Sequence, residues 1–208
     1  MFQDLTGQAI RTFQLKCLKI KAWPDAELAA FEDPVWGFIQ ANHQYNTLLW
    51  HEEDLARRVD VSDTEIANNK RNIDKYNQKR NDHIESIDEA IVARIPTIHK
   101  CKRGAWTNSE TVGSIIDRMS INALRTFNMN KQIVRKDISA MLRNKLIVLK
   151  YQSDHLKSCL DTFLGAVAAG KATLKLYKQL KMYNDPKLNP YLSKSYNKDK
   201  NKCLKKTY

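Results

Sequence analysis

The chain has 208 residues, 42% hydrophobic and 28% charged, enough for one sizeable core and with no need of a second domain. Its formal charge of +12 points to anionic partners, while four scattered cysteines (Cys17, Cys101, Cys159, Cys203) form no CxxC or Cys/His spacing, which excludes a disulfide framework or zinc finger pattern. No apolar run nears the roughly 20 residues that cross a bilayer, and the start of the chain has no basic-plus-apolar leader, so a reduced cytoplasmic protein without transmembrane segments is expected.

Six glycines and five prolines leave room for few, long elements. Residues 4–21 carry apolar side chains at Leu5, Ile10, Phe13, Leu15, Leu18 and Ile20, the pattern of an amphipathic helix closed by Trp23 and Pro24. Asp33 followed by Pro34 reads as an N-cap and first helical position. The helix it opens runs to about Val59, with one stripe through Phe38, Ala41, Tyr45, Leu48, Glu52, Leu55 and Val59. Ser62 and Glu65 form a capping box, so the next helix begins near Asp63 and ends before Pro96, its stripe running Ile66, Asn69, Ile73, Tyr76, Arg80, Ile84, Ile87, Ile91. The short connection makes this pair antiparallel, and residues at one height then have numbers summing to about 122. Arg80 comes level with Asn42, Asn77 with Tyr45 and Asn46, and Glu52 with Lys70, which rules out a direct Glu52–Arg80 pair.

Residues 97–108 read as a loop. Thr107 and Glu110 suggest a second capping box for a helix over residues 109–127, apolar on most sides and therefore central, which singles out Asp117 and Arg118. A helical pattern follows from 130 to 169, with a break at Gly165 or Gly170, then a last helix over 171–182. The expectation is an all-α bundle of about six helices forming one domain over residues 1–190. Residues 191–208 make a flexible tail in which six lysines stand against Asp199; this leaves +7 on the body. No β-alternation supports a sheet.

Four blocks carry a family resemblance: Asn-x-x-Leu-Trp-His-x-Glu-Asp-x-Ala-Arg (46–57), Asn-Gln-x-Arg-Asn-x-x-Ile-Glu-x-Ile-Asp (77–88), Gly-Ser-Ile-Ile-Asp-Arg-x-Ser-Ile (113–121) and Lys-Met-Tyr-Asn-Asp-Pro (181–186). Over roughly residues 42–190 the chain resembles the bacterial family called domain of unknown function 4254. The resemblance implies a bacterial source and a helical fold, carries over no catalytic role, and hints at sugar or sugar-phosphate chemistry in an envelope-polysaccharide setting.

The residues themselves suggest a buried polar level of Asn42, Asn46, Asn77, Arg80 and Asn81, with Asp117 and Arg118 supplied by the central helix and Trp50 available to stack. Amides donate and accept while a guanidinium grips an anion in two places, so the set suits a small phosphorylated or sugar-like ligand, such as a sugar nucleotide; equally, it suits a network that only fixes register. An alternative uses Glu52, Glu53, Glu85 and Asp88 as magnesium ligands of a nucleotide pyrophosphohydrolase-like enzyme, although the height rule holds Glu85 and Asp88 ~20 Å from Glu52. A third reading is a basic adaptor for RNA, a membrane or a partner enzyme, using the tail and the Lys171, Lys175, Lys178, Lys181 stripe. Nucleic acid is not favoured, and whether the protein is an enzyme or a homo-oligomer is left open at this level.

Overall fold

The computed structural model describes residues 1–27, 29–134, 139–182 and 185–192. The chain divides into two compact units, Met1–Tyr177 and Lys178–Tyr208. In the second, the described residues form a turn in which the amides of Leu188 and Asn189 donate to the Asp185 carbonyl and the Asp185 side chain accepts from Lys187 N. The tail beyond residue 192 and Ile138 of the fifth helical pattern lie outside the described residues.

The first unit is all-α. Its helices among the described residues are α1 (Gly7–Cys17), α2 (Pro34–Leu55), α3 (Asp63–Ala93), α4 (Val112–Gln132) and α5 (Ser139–Ala168). The starts follow local chemistry. Asp33 caps α2 by accepting from Val35 N, and Pro34 stands where its missing N–H costs nothing. Ser62 and Glu65 close a reciprocal capping box on α3. Thr6 caps α1, which is shorter at both ends than the 4–21 periodicity suggests.

The α2–α3 pair is antiparallel at the expected register. Tyr45 faces Tyr76 at 6.1 Å, Phe38 faces His83 at 6.3 Å, and Glu52 accepts from Asn69 and Asn72 at 2.7 and 3.1 Å. Of the expected α2 stripe only Ala41 is buried; Phe38, Tyr45, Leu48 and Glu52 are half-buried, and Leu55 and Val59 at its end are exposed. A second face, with Ile39, Asn42, His43 and Asn46, turns toward α4. This α4 is the central helix: it packs against α1, α2, α3 and α5. The core gathers Ile39, Ile87, Ile91, Ile115, Ile116 and Leu160, each essentially sealed from water, and each such side chain contributes about 1.5–3 kcal/mol.

Three expectations need correction. The capping box of Thr107 and Glu110 does not form: Thr111 caps α4 by accepting from Ser114 N, and Glu110 instead binds Arg118. Residues 171–182 hold no continuing helix. After Gly170 (φ 69°) the chain runs as β2 (Ala172–Thr173), parallel to β1 (Trp106–Thr107), a short ladder within the stretch read as loop. The physical reason lies in the 97–108 segment. Lys102 N donates to Gly170 O and Trp106 N to Lys171 O, so these carbonyls are already satisfied and Ala172 is buried beneath the ladder. Five helices therefore replace about six among the described residues, and Lys171, Lys175, Lys178 and Lys181 are not one helical stripe.

Gly113 sets how closely α4 approaches α3. A Cβ there would stand 2.5 Å from the backbone oxygen of Ile84 and 3.0 Å from Asp88 Oδ1. Gly113→Ala is expected to lower the melting temperature. The atom it meets is backbone and cannot swing aside, so the overpacking cost falls near the top of the roughly 1–3 kcal/mol range and exceeds the ~1 kcal/mol gained in helix propensity. Thermal denaturation of the variant checks this.

Candidate functional site

Two connected polar features occupy the junction of α2, α3 and α4. The inner one is a buried hydrogen-bond network, satisfied except at His43 Nε2. Asn42 Nδ2 and Asn46 Nδ2 both donate to Asp117 Oδ1, at 2.9 and 2.8 Å, and Asn46 Nδ2 also approaches Ser120 Oγ at 3.0 Å. Ser120 Oγ meets His43 Nδ1 at 2.7 Å, and the His43 ring stacks on Trp23 at 5.5 Å. Asn42, His43 and Ser120 are fully buried, and Asn46 and Asp117 nearly so. Burial holds His43 neutral, driving its pKa down to about 4 against a smaller opposing effect of the Gln14 backbone.

The outer feature is a cavity of about 500 Å³. Asn46, Trp50, Asn77 and Arg80 line it, with Glu53, Asp54, Arg57 and Arg125. Leu49, Ile73, Ile121 and Leu124 supply apolar wall. Glu53 and Arg57 pair with each other at 2.8 Å, whereas Arg80 and Arg125 have no carboxylate partner among the described residues. Arg80 Nη2 donates to Asn81 Oδ1 at 3.2 Å, and its buried Nε has no hydrogen-bond partner. A buried guanidinium edge left unpaired costs stability, and the same side chain lines the cavity.

The eight residues singled out from the sequence thus separate by place. Asn46, Trp50, Asn77 and Arg80 share the cavity. Asn42 and Asp117 stand behind Asn46 in the buried network, and Asn81 lies buried behind Arg80. Arg118 is exposed and held at 2.7 Å by Glu110, away from the cavity. Arg57 and Arg125 were not anticipated. Arg125 stands four and eight residues past Ile121 and Asp117, the recurrence of one α4 face, so its position was available once Asp117 was placed inward.

The four acids considered for magnesium do not share a centre. Glu52 serves Asn69 and Asn72, Glu53 serves Arg57, and Asp88 Oδ1 accepts from Gly113 N at 2.6 Å at the start of α4. Among the described residues no three His, Cys, Asp or Glu side chains gather as a metal site. Burial raises the pKa of Asp88 to about 6, with its hydrogen bonds to Thr111 and Gly113 opposing.

An all-α bundle with a partly cationic cavity at the α2/α3/α4 junction is the class of protein these observations define. Residues 36–176 match the family described as Protein of unknown function (DUF4254), and the chain belongs to it. That match encloses the three blocks at 46–57, 77–88 and 113–121 and ends before the fourth at 181–186. No curated protein and no solved structure matches the chain. No helix among the described residues is long and apolar enough to cross a membrane.

Asp117→Leu is expected to destabilise strongly, by about 2–4 kcal/mol, because it strands the Asn42 and Asn46 donors in the interior. Urea denaturation measures it. The two shifted groups oppose each other in acid. His43, depressed from 6.5 to about 4, withdraws stability as pH falls through that window. Asp88, raised from 3.8 to about 6, adds stability as pH falls between those values. Asp88→Asn removes only the second effect, so its melting temperature should drop more steeply than that of the unaltered protein from pH 6.5 to 4.

Proposed function

We propose that this protein binds a small phosphorylated or sugar-like ligand in the cavity between α2, α3 and α4. The observation that carries this reading is the placing of Arg80, with an unpaired buried Nε, beside Asn46, Asn77 and Trp50 in one cavity. Three arginines against two carboxylates give the lining a net positive charge, and Arg80 and Arg125 are the two whose charge is not already spent on a neighbour. A phosphate accepts from guanidinium edges in a bidentate manner. Hydroxyls of a sugar match Asn77, whose amide both donates and accepts, and the carbonyl oxygen of Asn46, whose N–H groups are given to Asp117 and Ser120; an indole face suits a sugar ring or base.

Asn46 links the ligand to the interior. It lines the cavity while donating to Asp117, so its orientation is set before any ligand arrives. Such preorganisation lowers the ordering cost of binding.

The test is a thermal-shift screen against inorganic pyrophosphate, sugar phosphates, sugar nucleotides and neutral sugars, run on the unaltered protein and on Arg80→Ala. Arg80 makes a single side-chain hydrogen bond, so removing it should leave the ligand-free melting temperature nearly unchanged. Affinity for the phosphorylated compounds should fall about tenfold to a hundredfold, the worth of a charged hydrogen bond. A variant that loses stability heavily while binding is unaltered would sink the proposal and leave Arg80 as structure.

A further inference from the structure

A second cavity, of about 600 Å³, lies between α4 and α5 and shares Trp50, Asp54 and Arg125 with the first. The two therefore adjoin, with an indole and an unpaired guanidinium at the boundary. Their linings differ in kind. The first carries Arg80 and the paired Glu53 and Arg57; the second carries Lys145 on a wall of Met129, Leu142, Val148 and Leu149, into which Asn128, Gln132 and Gln152 bring three amides.

We infer that the ligand of the proposed site is a nucleoside phosphate, lying across both cavities. This rests on the anion-binding reading of the first cavity and deepens it. The phosphates occupy the α2/α3/α4 cavity, gripped by Arg80 and by Arg125 at the boundary. The base enters the α4/α5 cavity, where the apolar wall and the Trp50 ring cover its faces and the amides meet its edge. A nucleobase is a flat apolar body with a fixed rim of donors and acceptors, which is what an apolar slot carrying three carboxamides recognises. An alkyl phosphate would fill the same apolar volume but would leave those amides unused. A free sugar phosphate would leave the second cavity empty.

Direct calorimetric titration of the full chain separates these cases, using ADP, GDP, CDP and UDP, inorganic pyrophosphate, and decyl phosphate. At least one nucleoside diphosphate should bind about tenfold or more tightly than pyrophosphate, the scale of one base stacked on an aromatic ring. Val148→Trp, at a half-exposed position of α5, should fill the second cavity and abolish that advantage while pyrophosphate binding persists. Gln152→Ala, which removes an exposed amide without adding bulk, should shrink the advantage in a protein whose folding is not in question.

Equal binding of pyrophosphate and every nucleotide, unaffected by either variant, would overturn the inference and leave the anion site standing. Tighter binding of decyl phosphate than of any nucleotide, lost in Val148→Trp, would overturn it in favour of an alkyl arm. Absence of binding by all of these anions would overturn both this inference and the anion site beneath it.

Discussion

One buried carboxylate organises the middle of this protein. Asp117 sits on the central helix α4, and its Oδ1 receives the amides of Asn42 and Asn46 from α2. A charge in that position is tolerable only when hydrogen-bonded, since leaving it or its donors unpaired costs several kcal/mol in a medium that cannot replace water. The contact therefore permits one register of α4 on α2 and penalises slippage by even one residue. Because α4 also touches α1, α3 and α5, fixing it against α2 fixes the frame in which the other helices pack.

The same network explains why a cavity persists beside a well-packed core. Most of its donors and acceptors are spent on each other: Asn42, Asp117, Ser120 and His43 Nδ1 form a buried set, in which His43 Nε2 is left without a hydrogen-bond partner. Asn46 alone belongs to both the network and the cavity lining. In front of it the polar groups are less fully matched, above all Arg80 with its unpaired Nε. Unmatched buried polar atoms thus occur on both sides of Asn46: His43 Nε2 within the network and Arg80 Nε at the cavity. Proteins concentrate such local costs at places that bind.

Electrostatics divides the protein in a related way. At the α3–α4 junction, Asp88 places a carboxylate on the amide of Gly113 in the first turn of α4, where the helix dipole favours negative charge. Burial outweighs this and raises its pKa to about 6. Gly113 is what allows the approach, since any side chain there meets the Ile84 carbonyl. Acids that look alike in the sequence therefore have different work: Asp88 docks a helix, Glu52 is shared by two asparagines of α3, and Glu53 neutralises Arg57 beside the cavity.

Much of the architecture was legible from local chemistry alone. Asp33 with Pro34, and Ser62 with Glu65, mark the starts of α2 and α3, because capping depends on residues three apart or fewer. Equal rise on two antiparallel helices placed Glu52 beside residues near 70, where Asn69 and Asn72 bind it. Asn46, Asn77 and Arg80 could be brought to one level by the same arithmetic, and they line one cavity. What only the tertiary structure decided depends on contacts distant in sequence. Which of the polar residues are sealed in and which face the cavity follows from how α4 seats on α2, and a stripe along α2 cannot show that this helix buries two faces. Adjacency to Asp117 suggests an inward Arg118, yet one residue along a helix turns a side chain by about 100°, and Glu110 holds it at the surface. Residues 171–173 have an unexceptional helical composition, and it was the carbonyl and amide groups of the 97–108 segment, some seventy residues away, that drew them into a strand. The sequence by itself determined where helices begin and which positions align between neighbours; the tertiary fold decided which polar groups are paired, and therefore which remain free to bind.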